Sequence, residues 1–221
     1  MLAVKNSFIM SRIIGAVLLF FLSGFTVSAD EGLYYLPRPE MHLIKSRFID
    51  QEFEIFVQLP VIKRNSMERF PVMYMTDTHT GIPDTKAMHL MQVTGELPRY
   101  IVVGIGYPVD HIVGAMEIRR RDLTPTETNG RNEYRAPLPF EGIAKINTDK
   151  KTGAAPEFLQ FIREQLIPFI DEHYNTIPGD TTYRGHSLGG LFGLYVLFHQ
   201  PDTFKRYSIG SPSMWWDKEI T

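Results

Sequence analysis

Hydrophobic positions follow three rhythms along the chain. Phe53, Ile55, Val57 and Leu59 alternate with Glu52, Glu54, Phe56 and Gln58. That period of two predicts a strand with one buried face. Residues 41–48 are placed to pair with it as a hairpin. Residues 71–76 (Pro-Val-Met-Tyr-Met-Thr) and 100–106 (Tyr-Ile-Val-Val-Gly-Ile-Gly) are nearly unbroken apolar runs, as expected for central strands covered on both faces. Between them, 84–96 predicts a helix capped by Asp84. Residues 110–153 carry charge, Thr, Pro, Gly and Asn without a sustained period, and predict an excursion over a site or a partly disordered stretch.

Periodicity returns at 155–174. Phe158, Phe161, Ile162, Leu166, Phe169 and Ile170 step by three and four, which predicts a core-facing helix. Pro168 falls inside it and predicts a kink. Residues 181–184 predict a short strand, 188–199 a helix ended by Pro201, and 206–209 a further strand. Strands alternating with helices predict an α/β fold, a mostly parallel sheet with helices on both faces.

Composition narrows the class. The 221 residues are 43% hydrophobic and 22% charged, which excludes a disordered, collagen-like or coiled-coil chain. With no cysteine there is no disulfide, thiolate zinc site, iron–sulfur cluster or cysteine nucleophile. A net charge of -2 argues against a nucleic-acid partner.

The first residues are read separately. Lys5 and Arg12 precede an apolar run over 13–25, and Val27-Ser28-Ala29 offers small residues for cleavage. This order predicts a secretory signal peptide over 1–29, cut after Ala29. A permanent helical anchor is the alternative, but the run is shorter than the ~20 residues of a spanning helix, so a cleaved signal and no permanent membrane span are expected. Residues 30–221 then form one domain, carrying a net charge of -4, in a periplasmic or secreted protein.

The chemistry centres on Gly185-His-Ser-Leu-Gly189, a G-x-S-x-G motif between a predicted strand and a predicted helix. The glycines remove side chains where backbone must approach closely. The turn lifts the Ser187 hydroxyl above the sheet edge. It also sets the Leu188 N–H at a helix start, where developing negative charge is favoured. Ser187 is therefore the candidate nucleophile and Leu188 a candidate oxyanion donor.

The run from Arg184 to Phe198, the following Pro201-Asp-Thr-Phe204 and Ser211-Pro-Ser-Met-Trp-Trp-Asp217 resemble the putative-esterase family of α/β hydrolases. That group includes siderophore esterases, S-formylglutathione hydrolase and mycolyltransferases. Residues 71–77, 101–108 and 119–125 resemble its earlier landmarks, and the likeness covers roughly 41–219 in family order. It implies an α/β-hydrolase fold and a serine hydrolase acting on small-molecule esters, a siderophore trilactone among them, without cofactor or metal. It also implies a second oxyanion donor after the third strand of the family fold. Here that turn reads Asp77-Thr78-His79, which gives the role to the His79 N–H. Thr78 replaces the usual glycine. Metal ligation by Asp77 and His79 is a weaker alternative, since two ligands make no site.

Arg119, Arg120, Arg121 and Asp122 lie on the excursion. By resemblance they sit near the mouth of the site, where Arg119 and Arg121 could hold an anionic substrate. The alternative is a solvated charge run or an ion pair with Asp122. Trp215 and Trp216 follow a strand end and could form an aromatic wall; the alternative is core packing, expected for one of the two.

An activated serine needs a base and an orienting acid. His199, which follows Ser187, is twelve residues along the same helix, about 18 Å away. His186 normally points away. By resemblance both partners belong to a C-terminal stretch after Thr221, together with the last strands and helices. The expectation is therefore an esterase forming an acyl-Ser187, impaired in this chain. The alternatives are an acyltransferase using the same intermediate, or a non-catalytic binding module. The sequence leaves the oligomeric state open.

Overall fold

The computed structural model describes residues 34–35, 37–63, 66–109, 112–128 and 151–218. The expected signal peptide lies outside them. The strands are β1 (Tyr34–Tyr35), β2 (Glu40–Lys45), β3 (Glu52–Gln58), β4 (Ile62–Lys63), β5 (Phe70–Thr76), β6 (Ile101–Gly106), β7 (Thr176–His186) and β8 (Arg206–Gly210). The α-helices are α1 (Thr78–Val93), α2 (Ile112–Asp122), α3 (Ala155–Phe161), α4 (Ile167–His173) and α5 (Leu188–His199). Among the described residues no helix is long and apolar enough to cross a membrane.

The predicted hairpin forms, with Met41 opposite Phe56 and Ile44 opposite Phe53. Phe53, Ile55 and Val57 are buried as the alternation requires, but Phe56 and Gln58 are buried too. Gln58 Nε2 donates to the Pro37 and Leu59 carbonyls at 3.0 and 2.8 Å, so the second face of β3 is covered by flanking chain.

The main sheet runs β2-β3-β6-β5-β7-β8. β2, β3 and β6 pair antiparallel; β6, β5, β7 and β8 pair parallel. Alternation sorts the central strands into two cores. Val72, Tyr74, Ile101, Val103 and Ile105 join Phe158, Phe161 and Phe192 on one face. Met75 and Val102 meet Met88 of α1 on the other. Without a disulfide, cohesion rests on such packing. Phe53 stacks on Phe161 with centroids 4.4 Å apart, and Phe158 meets Phe192 at 5.0 Å.

Four local expectations are corrected. The helix expected over 84–96 starts at Thr78, directly after β5. Gly81 and Pro83 lower its propensity, but most helix stability comes from packing. The expected excursion contains α2, whose Ala115 and Ile118 pack on the core. Arg119, Arg120 and Arg121 fill its last turn, where the helix dipole favours cations. β7 begins five residues before 181, because a bulge holds Ile177-Pro-Gly-Asp180 between the Phe70–Thr176 and Val72–Thr181 pairs. Pro168 is accommodated by a wide turn over Ile162–Leu166, where Ile167 N–H donates five residues back to Ile162.

The connections place the site. From β5 the chain runs to β6 on one side, then crosses to β7 on the other. That reversal falls beside β5 and β7, and open α/β sheets hold ligands at the carboxyl ends of the strands at such a switch point. Asp77 and Ser187 stand at those ends.

Candidate active site

Ser187 has φ 58° and ψ −117°, a conformation that side-chain-bearing residues rarely adopt. Close approach accounts for the two motif glycines. A Cβ on Gly185 would run into the backbone of Gly189, and a Cβ on Gly189 into Thr76 Oγ1. The turn is tied to the chain after β8. Ser187 N–H donates to Gly210 O at 3.1 Å, and Ser213 N–H donates to Ser187 O at 3.0 Å. The half-buried Ser187 hydroxyl pairs with Ser213 Oγ at 3.1 Å.

Leu188 is the first residue of α5 and His79 the second of α1. Donors in the first turn of a helix lack intrahelical acceptors. These two helices start from adjacent parallel strands, and a Cβ on Gly189 would stand 3.3 Å from Asp77 Oδ2. Two helix N-termini thus converge on the serine turn, an arrangement suited to an oxyanion.

Thr78 does not need the conformation of the glycine it replaces. The left-handed φ of 64° falls on Asp77 instead, and aspartate tolerates that region better than threonine. Thr78 enters the helix with its side chain buried against Gly104.

Asp77 is bound by Arg119 through Nε at 2.6 Å and Nη2 at 2.9 Å. Burial works against the guanidinium charge, but the Asp77 carboxylate outweighs it and holds the Arg119 pKa above its usual range. Arg121 Nε donates to Asp122 at 2.6 Å and Nη2 to Gln51 Oε1 at 3.1 Å. The expected alternative of an ion pair with Asp122 is thus what Arg121 forms, while the fork of Arg119 is taken up by Asp77. Asp122 is fully buried, and burial pushes its pKa up to about 6 against the pull of Arg121.

The two tryptophans separate. Trp215 is 40% exposed. Trp216 has no exposed surface and its Nε1 donates to Thr126 Oγ1 at 3.1 Å. Trp216 is thus the one of the two that packs in the core and not on a ligand wall, while Trp215 keeps an exposed face.

Among the described side chains, which do not include that of His79, no imidazole is hydrogen-bonded to Ser187. His42 pairs with Tyr174, His173 with the Phe169 carbonyl and His199 with the Tyr195 carbonyl. His186 is exposed and His89 is buried on α1.

Tyr183 is a site residue that sequence reasoning passed over. It is fully buried beneath the turn, and its hydroxyl donates to the Gly189 carbonyl at 2.7 Å. Its place two residues before the motif glycine, on the same strand face, is the signal that could have marked it.

Comparison with known proteins follows the same lines. The family model described as "Putative esterase" matches residues 122–221. The ferri-bacillibactin esterase BesA of Bacillus subtilis is 32% identical over 198 residues, covering 87% of this chain and 64% of that protein. The siderophore enterobactin esterase of Emericella nidulans is 38% identical over 121 residues, covering 53% of this chain and 37% of the relative. Among solved structures, the BES protein from Bacillus cereus superposes with a TM-score of 0.65 at 30% identity, over 82% of this chain and 64% of that one. The chain therefore spans less than two thirds of the length of these relatives. The sheet and its helices are of the α/β-hydrolase type found in these siderophore esterases.

Proposed function

We propose that this chain, which resembles that esterase family over most of its length, carries the serine centre of a carboxylic ester hydrolase acting on siderophore esters. The observation that carries the proposal is the strained Ser187 turn, with the first turns of α5 and α1 beside it. The named activities of the relatives, cleavage of ferri-bacillibactin and enterobactin among them, support the substrate class.

In the proposed reaction Ser187 Oγ attacks the ester carbonyl while its proton passes to a general base. The oxyanion takes hydrogen bonds from the N–H groups of Leu188 and His79. Collapse breaks the bond to the alkoxide, which leaves with a proton as the alcohol. Water then cleaves the acyl-Ser187 to the carboxylic acid and restores the hydroxyl. Overall, ester and water give acid and alcohol. Trp215 offers an aromatic face to the acyl part. Residues 1–29 act as an export signal and place the enzyme outside the cytoplasm.

The imidazoles whose side chains are described have other partners or positions, so the base is assigned to a histidine outside that set. Without a base in reach of Ser187, turnover is expected to be slow. The pairing of Ser187 with Ser213 also favours a second reading, a binding module of the same fold that holds an ester without cleaving it. The purified chain, incubated with an aryl ester and with a siderophore trilactone, separates these. Slow acid release that disappears in Ser187→Ala supports the hydrolase. Release unchanged in Ser187→Ala overturns it, and tight trilactone binding without release favours the second reading. Rapid stoichiometric labelling of Ser187 by a fluorophosphonate contradicts the expected slow turnover.

A further inference from the structure

The proposed chemistry leaves one contact of the nucleophile unused. Ser213 Oγ lies 3.1 Å from Ser187 Oγ. Ser213 is 2% exposed and follows β8 by three residues. Its backbone is held on both sides. Its N–H donates to Ser187 O at 3.0 Å, and its carbonyl accepts from Trp216 N–H at 3.1 Å. Trp216 is itself fully buried. The hydroxyl of Ser213 is thereby placed by the same main-chain links that tie down the nucleophile turn.

A serine hydroxyl has one donor and two acceptor positions. With Ser213 as donor, the proton on Ser187 remains for the base, and a lone pair of the nucleophile is fixed. With the polarity reversed, Ser187 spends its proton on Ser213. The first arrangement gains strength as charge builds on Oγ during attack, because a hydrogen bond to an anionic acceptor is roughly twice as strong as a neutral one. It weakens again once Oγ is acylated, which favours progress through the step.

We propose that Ser213 is a positioning residue of this centre: its hydroxyl donates to Ser187 Oγ, sets the rotamer of the nucleophile and leaves the Ser187 proton to the general base. The inference rests on the reading of Ser187 as nucleophile. The Ser213 O–H bond stays intact throughout; the bond that breaks is the Ser187 O–H, as Oγ joins the ester carbon.

The test uses the full chain with Ser213→Ala, Ser213→Thr and Ser187→Ala. One arm follows phosphonylation of Ser187 by a fluorophosphonate as a function of pH, read by mass spectrometry. Ser213→Ala is expected to slow labelling about ten-fold, the scale of one hydrogen bond, and to move the pH profile upward. Ser213→Thr is expected to restore most of the rate. The other arm follows the Ser187 Cβ resonance in ¹³C-serine-labelled protein, assigned by its loss in Ser187→Ala. That signal should shift in Ser213→Ala and return in Ser213→Thr. Thermal melting checks that the alanine variant is folded. Movement in both arms supports the proposal. An unmoved resonance overturns it whatever the rate does, and so does a moved resonance with an unchanged rate. If the parent chain is inert to the probe, as an unactivated serine would be, the resonance alone decides: a shift in Ser213→Ala that returns in Ser213→Thr supports the proposal, and an unmoved signal overturns it.

Discussion

The hydroxyl of Tyr183 donates to the carbonyl of Gly189 at 2.7 Å and so joins the strand before the nucleophile to the helix after it. The same oxygen lies 3.4 Å from Thr76 Oγ1 at the end of β5. Three elements that meet at the serine turn thus share one buried phenol. Burial holds its pKa above the ordinary tyrosine range, so it remains a donor at any working pH.

Tyr183→Phe keeps the ring packing against Phe192 and Phe204 and removes only the hydroxyl. The expected cost is about 1 kcal/mol in urea unfolding. Fluorophosphonate labelling of Ser187 should slow as well, because the turn loses its support. Stability loss with unchanged labelling would show that the phenol supports the fold alone.

Arg119 gives a sharper division. Sequence reasoning leaves it open between a substrate contact and an ion pair; the geometry gives its fork to Asp77, the residue that turns the chain into α1. Side-chain exposures of 12% and 18% put the pair between surface and interior. Arg119→Met should therefore cost about 2 kcal/mol. Adding Asp77→Asn should recover much of that loss. With an anionic aryl ester, a positioning role lowers kcat with KM nearly constant, whereas direct substrate contact raises KM. Steady-state kinetics on the single variant reads the difference.

These residues also show where the sequence was legible. The strands around 53, 72 and 103 could be read because burial on a pleated sheet imposes period two or an unbroken apolar run over a few neighbours. The serine turn could be read because its steric demands fall on residues two positions either side of Ser187. Asp77 and Arg119 are 42 positions apart, and nothing local marks either for the other. α2 was hidden because arginines on its last turn mask a short apolar face. The bulge in β7 was hidden because Pro178-Gly179 reads as a turn, while its registry depends on β5.

Asp122 predicts a pH effect. Its pKa is about 6 when folded and near 3.8 when exposed, so the folded state binds more protons between those values. Stability from this group is therefore lost as pH rises from about 4 to 6. Asp50, Asp180 and Asp202 are shifted down and act in the opposite direction, so whole-protein stability mixes both. The comparison with Asp122→Asn isolates the term. Relative to that variant, the parent should lose up to about 3 kcal/mol between pH 4 and pH 6.5. Urea titrations at several pH values measure it, and a flat difference would contradict the burial account.

The last prediction concerns the strain at Ser187. A φ of 58° with ψ of −117° costs a residue with a Cβ roughly 1–3 kcal/mol, and glycine much less. Ser187→Ala and Ser187→Gly both remove the hydroxyl and its contact with Ser213, and neither should be labelled. They differ in the Cβ alone. Glycine adds unfolded-chain entropy, which offsets part of the relief. Ser187→Gly should still be the more stable by about 1 kcal/mol, measured by paired urea unfolding. Equal stabilities would mean that the turn is held without strain. A more stable glycine variant would instead show that the fold gives up stability at the one position where the proposed reaction needs an oxygen lifted off the sheet.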